Sequence, residues 1–414
     1  MSTSVRFKLS FMMFLEFFIW GAWFVTLGTF LIQNLQAEPF QISNVFSTQS
    51  LGAIIAPFIV GMVADRYFNA ERILGILHLI GAFLMFQMYK STDISTFYPY
   101  VLVYMILYMP TLALVNSVSF RQLSNPETQF SSIRVWGTIG WIIAGLAISF
   151  LFRWDSPEGA QEGALRNTFL MAGIASAVLG LFSFFLPKTP PIKVDAAEKP
   201  SFASIIGLDA VKLLKDRNFL IFFISSILIC IPLAFYYSNA NPFLVEIGLS
   251  NATGKMAIGQ VSEAVFLLFL PVLFVRFGFK KTILIGMLAW AIRYLLFAYG
   301  NAGDLSFMLI IGIALHGICY DFFFVSGQIY TDSKAGVKYK SAAQGLITLA
   351  TYGIGQLIGF WVAGYIGTMY ADIKSTDVAA FWQQVWLVPA GIAFVVMILF
   401  MIFFKNEKIE NKTI

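Results

Sequence analysis

The stretch Phe219-Leu-Ile-Phe-Phe-Ile-Ser-Ser-Ile-Leu-Ile-Cys-Ile-Pro-Leu-Ala-Phe-Tyr-Tyr237 carries no charged residue. It sits in an apolar segment, 218–245, long enough to cross a bilayer as a helix, which takes about 20 residues. Working outward, eleven more apolar segments are found, at 9–32, 42–64, 72–90, 97–119, 131–152, 167–187, 255–277, 281–300, 305–329, 341–369 and 381–404. The predicted fold is therefore an all-α polytopic membrane protein with twelve transmembrane helices. Composition agrees: 58% of the 414 residues are hydrophobic and 12% charged, against roughly 25% charged in a soluble domain. Disordered, collagen-like and disulfide-rich classes are excluded. An outer-membrane barrel is excluded too, because its strands would alternate polar and apolar residues. The first segment is too long for a simple signal sequence and lacks a small-residue cleavage pattern, so it is read as a retained first helix.

The positive charges set the expected orientation. Twenty-one of the 27 basic residues, among them Arg66, Arg72, Arg121, Lys188, Lys212, Arg276, Lys280, Lys281, Lys334 and Lys405, fall on one side, whereas the other holds only Lys90, Arg153, Arg166, Lys255 and Lys374. Both termini are expected in the cytoplasm, in the inner (cytoplasmic) membrane of a bacterium. The net charge of +5 then reports topology, and no nucleic-acid partner is expected.

The longest polar stretch contains Pro187, Pro190, Pro191 and Pro200. It predicts a six-helix bundle over 1–187, a cytoplasmic linker over 188–217 and a second bundle over 218–414. Within the linker, Ala203–Leu214 has the pattern of a short amphipathic helix. The halves echo one another: Arg66-Tyr-Phe-Asn-Ala-Glu-Arg-Ile-Leu74 matches Arg276-Phe-Gly-Phe-Lys-Lys-Thr-Ile-Leu284. Two six-helix pseudo-repeats of this kind are the plan of the major facilitator fold. The first copy, with Gly61, Asp65, Arg66 and Arg72, resembles that superfamily's cytoplasmic loop motif. It is expected to act as a conformational lock, with the carboxylate facing a helix N-terminus and a basic residue.

Ionisable groups inside apolar spans are costly and point to function. Gln260 and Glu263 are three residues apart, so they share a face. An amide and a protonatable acid there suit a neutral, polyhydroxylated or heterocyclic ligand. His316 and Tyr320 share a face of the tenth segment, next to Asp321. Arg134, Thr138 and Trp141 form one stripe of the fifth, a cation with a ring that can stack on a flat ligand. Arg134 is expected to pair with Asp321 or Glu263 and to release it on protonation. Glu16 lies on an aromatic stripe with Trp20 and Trp23. In the seventh segment Pro232 and Pro242 bracket Tyr236, Tyr237, Asn239 and Asn241, which reads as a broken, polar-lined helix able to gate. Arg293 is read as structural or snorkelling.

No phosphate-binding lysine loop, dinucleotide fingerprint or nucleophile elbow is present. Cys230, Cys319, His78 and His316 offer no disulfide framework and no zinc spacing. Neither an enzyme nor a cofactor nor a metal is expected. Concentrative work must draw on an ion gradient, and intramembrane acids favour protons. A sugar permease and a transporter-like sensor stand as alternatives.

The chain resembles the bacterial nucleoside:proton symporter family of the major facilitator superfamily. The resemblance is carried by Trp20-Gly-Ala-Trp23, Tyr108-Met-Pro-Thr111, Ile133-Arg-Val-Trp-Gly-Thr-Ile-Gly140, Gln260-Val-Ser-Glu263, Tyr320-Asp-Phe322, Ala343-Gln-Gly345 and Val385-Trp386, in order over the whole chain. It implies import of nucleosides or nucleoside-like metabolites with protons, by alternating access, by a protein expected to be a monomer in the bilayer. It also implies that Arg134, Thr138, Gln260, Glu263 and Asp321 line the nucleoside site. With the aromatic and polar residues above, the expected substrate-binding set is Arg134, Thr138, Trp141, Tyr237, Asn241, Gln260, Glu263, His316 and Tyr320. The expected proton-coupling set is Glu263, Asp321, Arg134 and Glu16. Ala234, Tyr237, His316, Tyr320 and Glu16 depart from the pattern of a well-studied member and look more like a less-characterised branch of nucleoside transporters.

Overall fold

A computed structural model describes residues 2–59, 68–124, 129–190 and 208–407. Gly61, Asp65 and Arg66 of the expected lock lie outside the described residues, as do 203–207 of the expected linker helix. Arg72 is exposed near the start of a helix.

Among the described residues the chain is all helix. The long helices are α1 (Thr3–Trp23, continued by Leu27–Gln33), α2 (Pro39–Ile59), α3 (Ala70–Lys90), α4 (Ile94–Gln122), α5 (Ser131–Leu146) and α6 (Asn167–Ser183). They continue as α7 (Arg217–Glu246), α8 (Ala252–Leu270), α9 (Arg276–Tyr299), α10 (Ser306–Ala335), α11 (Ala342–Met369) and α12 (Val378–Phe403). Eleven of the described spans are long and apolar enough to cross a membrane. The other long helix is α2, which carries Gln41, Ser43, Asn44, Ser47, Thr48, Gln49 and Ser50. Large apolar side chains stand outward, including Leu268 (79% exposed) and Leu151 (72%). Exposed surface of this kind is stable against lipid and not against water.

The chain divides into two compact units, Met1–Lys199 with Ser250–Ala257, and Pro200–Leu249 with Ile258–Ile414. The short piece Ser250–Ala257 groups with the first unit because its helix start is capped there. Asp155 Oδ2 accepts from the Thr253 amide at 3.0 Å, and Ser149 Oγ accepts from the Gly254 amide at 2.7 Å. These are amides that a helix start leaves without intrahelical partners.

Four features of the backbone differ from the sequence reading. Helix α7 runs unbroken through Pro232 and Pro242, so the broken gate expected there is not formed. One helix, Ser326–Thr348, joins α10 to α11 across the gap expected near 330–340. Residues Leu208–Lys215, where part of the linker helix was expected, form a 3-10 helix. Lastly, π turns occur in three spans, after α5 at Ala147–Leu151, within α10 at Asp321–Val325 and within α11 at Leu349–Gly355. Such turns concentrate at functional sites, and one of them opens on Asp321. The helical run Ala252–Tyr299, which holds α8 and α9, is kinked at Gly278, whose φ of 71° is natural for glycine and strained for other residues.

Candidate functional site

In the first unit, glycines let α5 lie directly on α1. A Cβ on Gly140 would overlap the Phe14 carbonyl, and one on Gly21 would meet Trp141 at 3.0 Å. Close backbone approach of this kind is how membrane helices pack without a hydrophobic driving force. The approach places Arg134, whose guanidinium lies 4.0 Å from the centre of the Phe17 ring. A Cβ on Gly137 would come within 2.7 Å of Arg134 Nη1, so the missing side chain is the room the guanidinium uses. Trp141 packs edge-on against Trp20 at 5.5 Å. Arg134, Thr138 and Trp141 are all half-buried, whereas Val135 and Trp136 on the other face are exposed. The structure thus brings the expected stripe of α5 together with the aromatic face of α1.

Glu16 is fully buried. Its Oε2 lies 2.8 Å from His78 Nε2 of α3, and Thr111 of α4 meets Oε1 at 2.6 Å. His78 Nδ1 faces Ser176 Oγ of α6 at 3.1 Å. Sequence reasoning had set His78 aside after finding no metal spacing. The signal that marks it is the one that marked Glu16, an ionisable group in an apolar run.

The second unit is organised by close contact of α8 with α10. A Cβ on Gly317 would lie 2.5 Å from the Ser262 carbonyl carbon, and one on Gly259 would lie 3.2 Å from His316 Cβ. Ser262 Oγ donates to the Ala314 carbonyl. Glu263 and His316 are brought face to face, with Oε2 and Nε2 3.8 Å apart. His316 is buried, and the Glu263 side chain keeps 28% of its surface exposed. Behind His316 stands Arg293, which is fully buried and so does not snorkel. Its Nη1 lies 3.0 Å from His316 Nδ1, and the guanidinium sits 3.6 Å from the centre of the Tyr236 ring. Arg293 also faces the Cys319 thiol.

An arginine donates only, so His316 Nδ1 accepts. The ring is then neutral, with its hydrogen on Nε2 and aimed at Glu263. Tyr236 stacks on the same imidazole, with centroids 5.4 Å apart. Tyr320, one turn on from His316, bonds through its hydroxyl to that of Tyr352 on α11 at 2.5 Å. Tyr352 was missed in the sequence, where nothing distinguishes it from other tyrosines. Asp321 is 1% exposed and its Oδ2 has no partner, whereas Asn241 is buried in α7. Gln260 is half-buried one turn before Glu263. Among the described residues no cluster could hold a metal ion.

These polar and aromatic side chains, and the acids beside them, lie inside apolar, membrane-length helices. The family described as nucleoside H+ symporter matches residues 1–409. The chain belongs to that family. It is 43% identical over 410 residues to "Putative nucleoside transporter YegT" of Escherichia coli (strain K12), covering 97% of this chain and 94% of the relative. To the nucleoside permease NupG of the same organism it is 32% identical over 426 residues, covering 99% and 98%. The crystal structure of a NupG mutant superposes with a TM-score of 0.88 at 30% identity, over 97% of this chain and 100% of that one. The fold is that of the major facilitator transporters, and the protein is a multi-pass, proton-coupled importer of nucleosides or nucleoside-like molecules. Sugar transport, the alternative reading of the sequence, is not favoured by these matches.

Proposed function

We propose that the nucleoside is bound by Arg134, Thr138 and Trp141 of the first unit and by Tyr237, Asn241, Gln260, Glu263, His316 and Tyr320 of the second. Glu263, Asp321, Arg134 and Glu16 couple its import to protons. The observation that carries this reading is the Glu263 carboxylate. It is the one acid of α8, partly open, with a neutral imidazole N–H aimed at it from behind. A carboxylate supported in this way can accept from ribose hydroxyls or a base N–H, and it can also take up a proton. Gln260, one turn away, supplies both a donor and an acceptor. Trp141, Tyr237 and Tyr320 give aromatic faces for the base.

Transport proceeds by alternating access, as expected of a fold built from two six-helix repeats. The protein works as a carrier rather than an enzyme, as a monomer in the inner membrane of a bacterium, with both termini in the cytoplasm. The charge asymmetry of its loops supports that orientation. The test is a thermal-shift and binding screen of the purified protein against nucleosides, free bases and saccharides at two pH values. Stabilisation by nucleosides that strengthens at the lower pH is expected. Stabilisation by saccharides alone overturns the reading.

A further inference from the structure

The first unit buries Glu16 and His78 in a network joining four helices, and its hydrogens can be counted. Glu16 is 0% exposed and His78 2%. Ser176 Oγ lies within reach of two acceptors, the His78 carbonyl at 2.8 Å and His78 Nδ1 at 3.1 Å. A hydroxyl has one hydrogen to give. When Ser176 donates to the carbonyl, its oxygen can only accept, so Nδ1 must carry a hydrogen. Glu16 Oε2 and His78 Nε2, 2.8 Å apart, then share one proton, as imidazolium with carboxylate or as imidazole with carboxylic acid. Both forms hold the same number of protons and carry no net charge. Removing one proton leaves a carboxylate that needs an N–H from Nε2, and so a bare Nδ1. Ser176 meets that need by turning its hydroxyl from the carbonyl to Nδ1.

The Thr111 hydroxyl lies 2.6 Å from Glu16 Oε1 and 2.5 Å from the Tyr108 carbonyl. The shared proton sits on the Oε2 side, so Oε1 is an acceptor for this hydroxyl in both states. Every member of the network therefore keeps a partner in both states, which removes the usual penalty for an unpaired buried polar group. Among the described residues, Tyr104 and Tyr108 of α4 are the ionisable groups that feel Glu16, Tyr108 is also within the field of Arg134 of α5, and Ser176 of α6 faces His78. Arg134 rests on Phe17, the residue after Glu16. Tyr108 thus stands within the fields of both Glu16 and Arg134, a residue of the proposed nucleoside site.

We infer that Glu16 and His78 form a proton-binding site in the first unit. Its loaded and unloaded states exchange through rotation of the Ser176 hydroxyl, and it gives transport a pH dependence separate from that of Glu263 and Asp321. The transport part of this inference rests on the proton-coupled nucleoside reading; the proton site itself does not.

Two measurements test it. The chain has only two histidines, so 15N-histidine NMR of the wild-type protein in detergent resolves both without any variant. On raising the pH, His78 is expected to lose its Nδ1 hydrogen, while His316, whose Nδ1 accepts from Arg293, keeps its hydrogen on Nε2 throughout. A His78 signal that does not change its protonated nitrogen between about pH 5 and pH 9 overturns the site. In proteoliposomes, Glu16→Gln and His78→Asn are expected to retain nucleoside counterflow. Each is expected to lose the same one-proton component of the uptake profile, about tenfold per pH unit, and the double variant no more than either. If both variants exchange nucleoside and keep the wild-type profile, the coupling role is wrong. If the wild type itself moves no protons with nucleoside, the coupled-transport reading fails instead, and the NMR result still decides the site.

Discussion

Each unit buries one histidine against one glutamate, and the two pairs are wired differently. In the first unit His78 meets Glu16 at 2.8 Å and its other nitrogen faces a serine hydroxyl that can donate or accept. In the second, His316 stands 3.8 Å from Glu263 and its other nitrogen is held by Arg293. A hydroxyl leaves the imidazole free to exchange its hydrogen between nitrogens; a guanidinium does not. The same two side chains thus make a proton store in one unit and a fixed donor in the other. The distinction comes from the partner behind the ring, Ser176 or Arg293, and not from the histidine.

The largest effect that separates the two regions is expected at Glu263. Glu263→Gln keeps an acceptor and the shape but cannot ionise, so accumulation against a gradient should fall to simple equilibration while counterflow persists. Normal concentrative uptake by that variant, measured with radiolabelled nucleoside, would place the coupling elsewhere. Next in size is Arg293→Met. It removes a hydrogen bond from a charged donor, worth about 1.5–3 kcal/mol, and frees His316 to change tautomer. Nucleoside affinity should weaken roughly tenfold or more and acquire a pH dependence contributed by His316. An unchanged binding isotherm would mean that the arginine only packs.

Packing itself is probed by Gly140→Ala and Gly317→Ala, whose new methyl groups meet the Phe14 carbonyl and the Ser262–Glu263 backbone respectively. Overpacking of this kind costs about 1–3 kcal/mol and should lower the melting temperature in both units alike. A loss of transport at full stability would instead mark these contacts as moving parts.

The smallest effect is expected outside the spans, at Asp216. Partial burial pushes its acid upward, but bonds from the Phe219 amide and Lys334 outweigh this and hold it below the usual value of 3.8. An acid lowered in the folded state stabilises the fold above its unfolded value and loses that contribution as pH falls through the folded one. The side chain is 41% exposed, so Asp216→Asn should cost under about 1 kcal/mol at neutral pH. The difference in melting temperature between wild type and variant should vanish on acidification below 3.8. A difference that persists in acid would assign the effect to the helix cap rather than to charge.

The spans were legible because bilayer crossing demands long apolar runs, and the duplication of Arg66–Leu74 in Arg276–Leu284 exposed the halves. Arg134, Thr138, Trp141, Gln260 and Glu263 were legible as stripes because helical spacing puts such residues on one face. What could not be read was the partner behind each imidazole. Ser176 is 98 residues from His78, Arg293 is 23 from His316, and no local period links either pair. The unbroken course of α7 through two prolines and the π turn at Asp321 are likewise set by packing, which overrides local propensity.

Nucleoside and protons are proposed to move together through this chain by way of Glu263, and this coupling can be watched directly. It is tested most directly by following the internal pH of proteoliposomes, with a trapped dye, on adding nucleoside outside. Internal acidification is expected in the wild type and none in Glu263→Gln, with counterflow intact in both. Equal acidification in both proteins would contradict it.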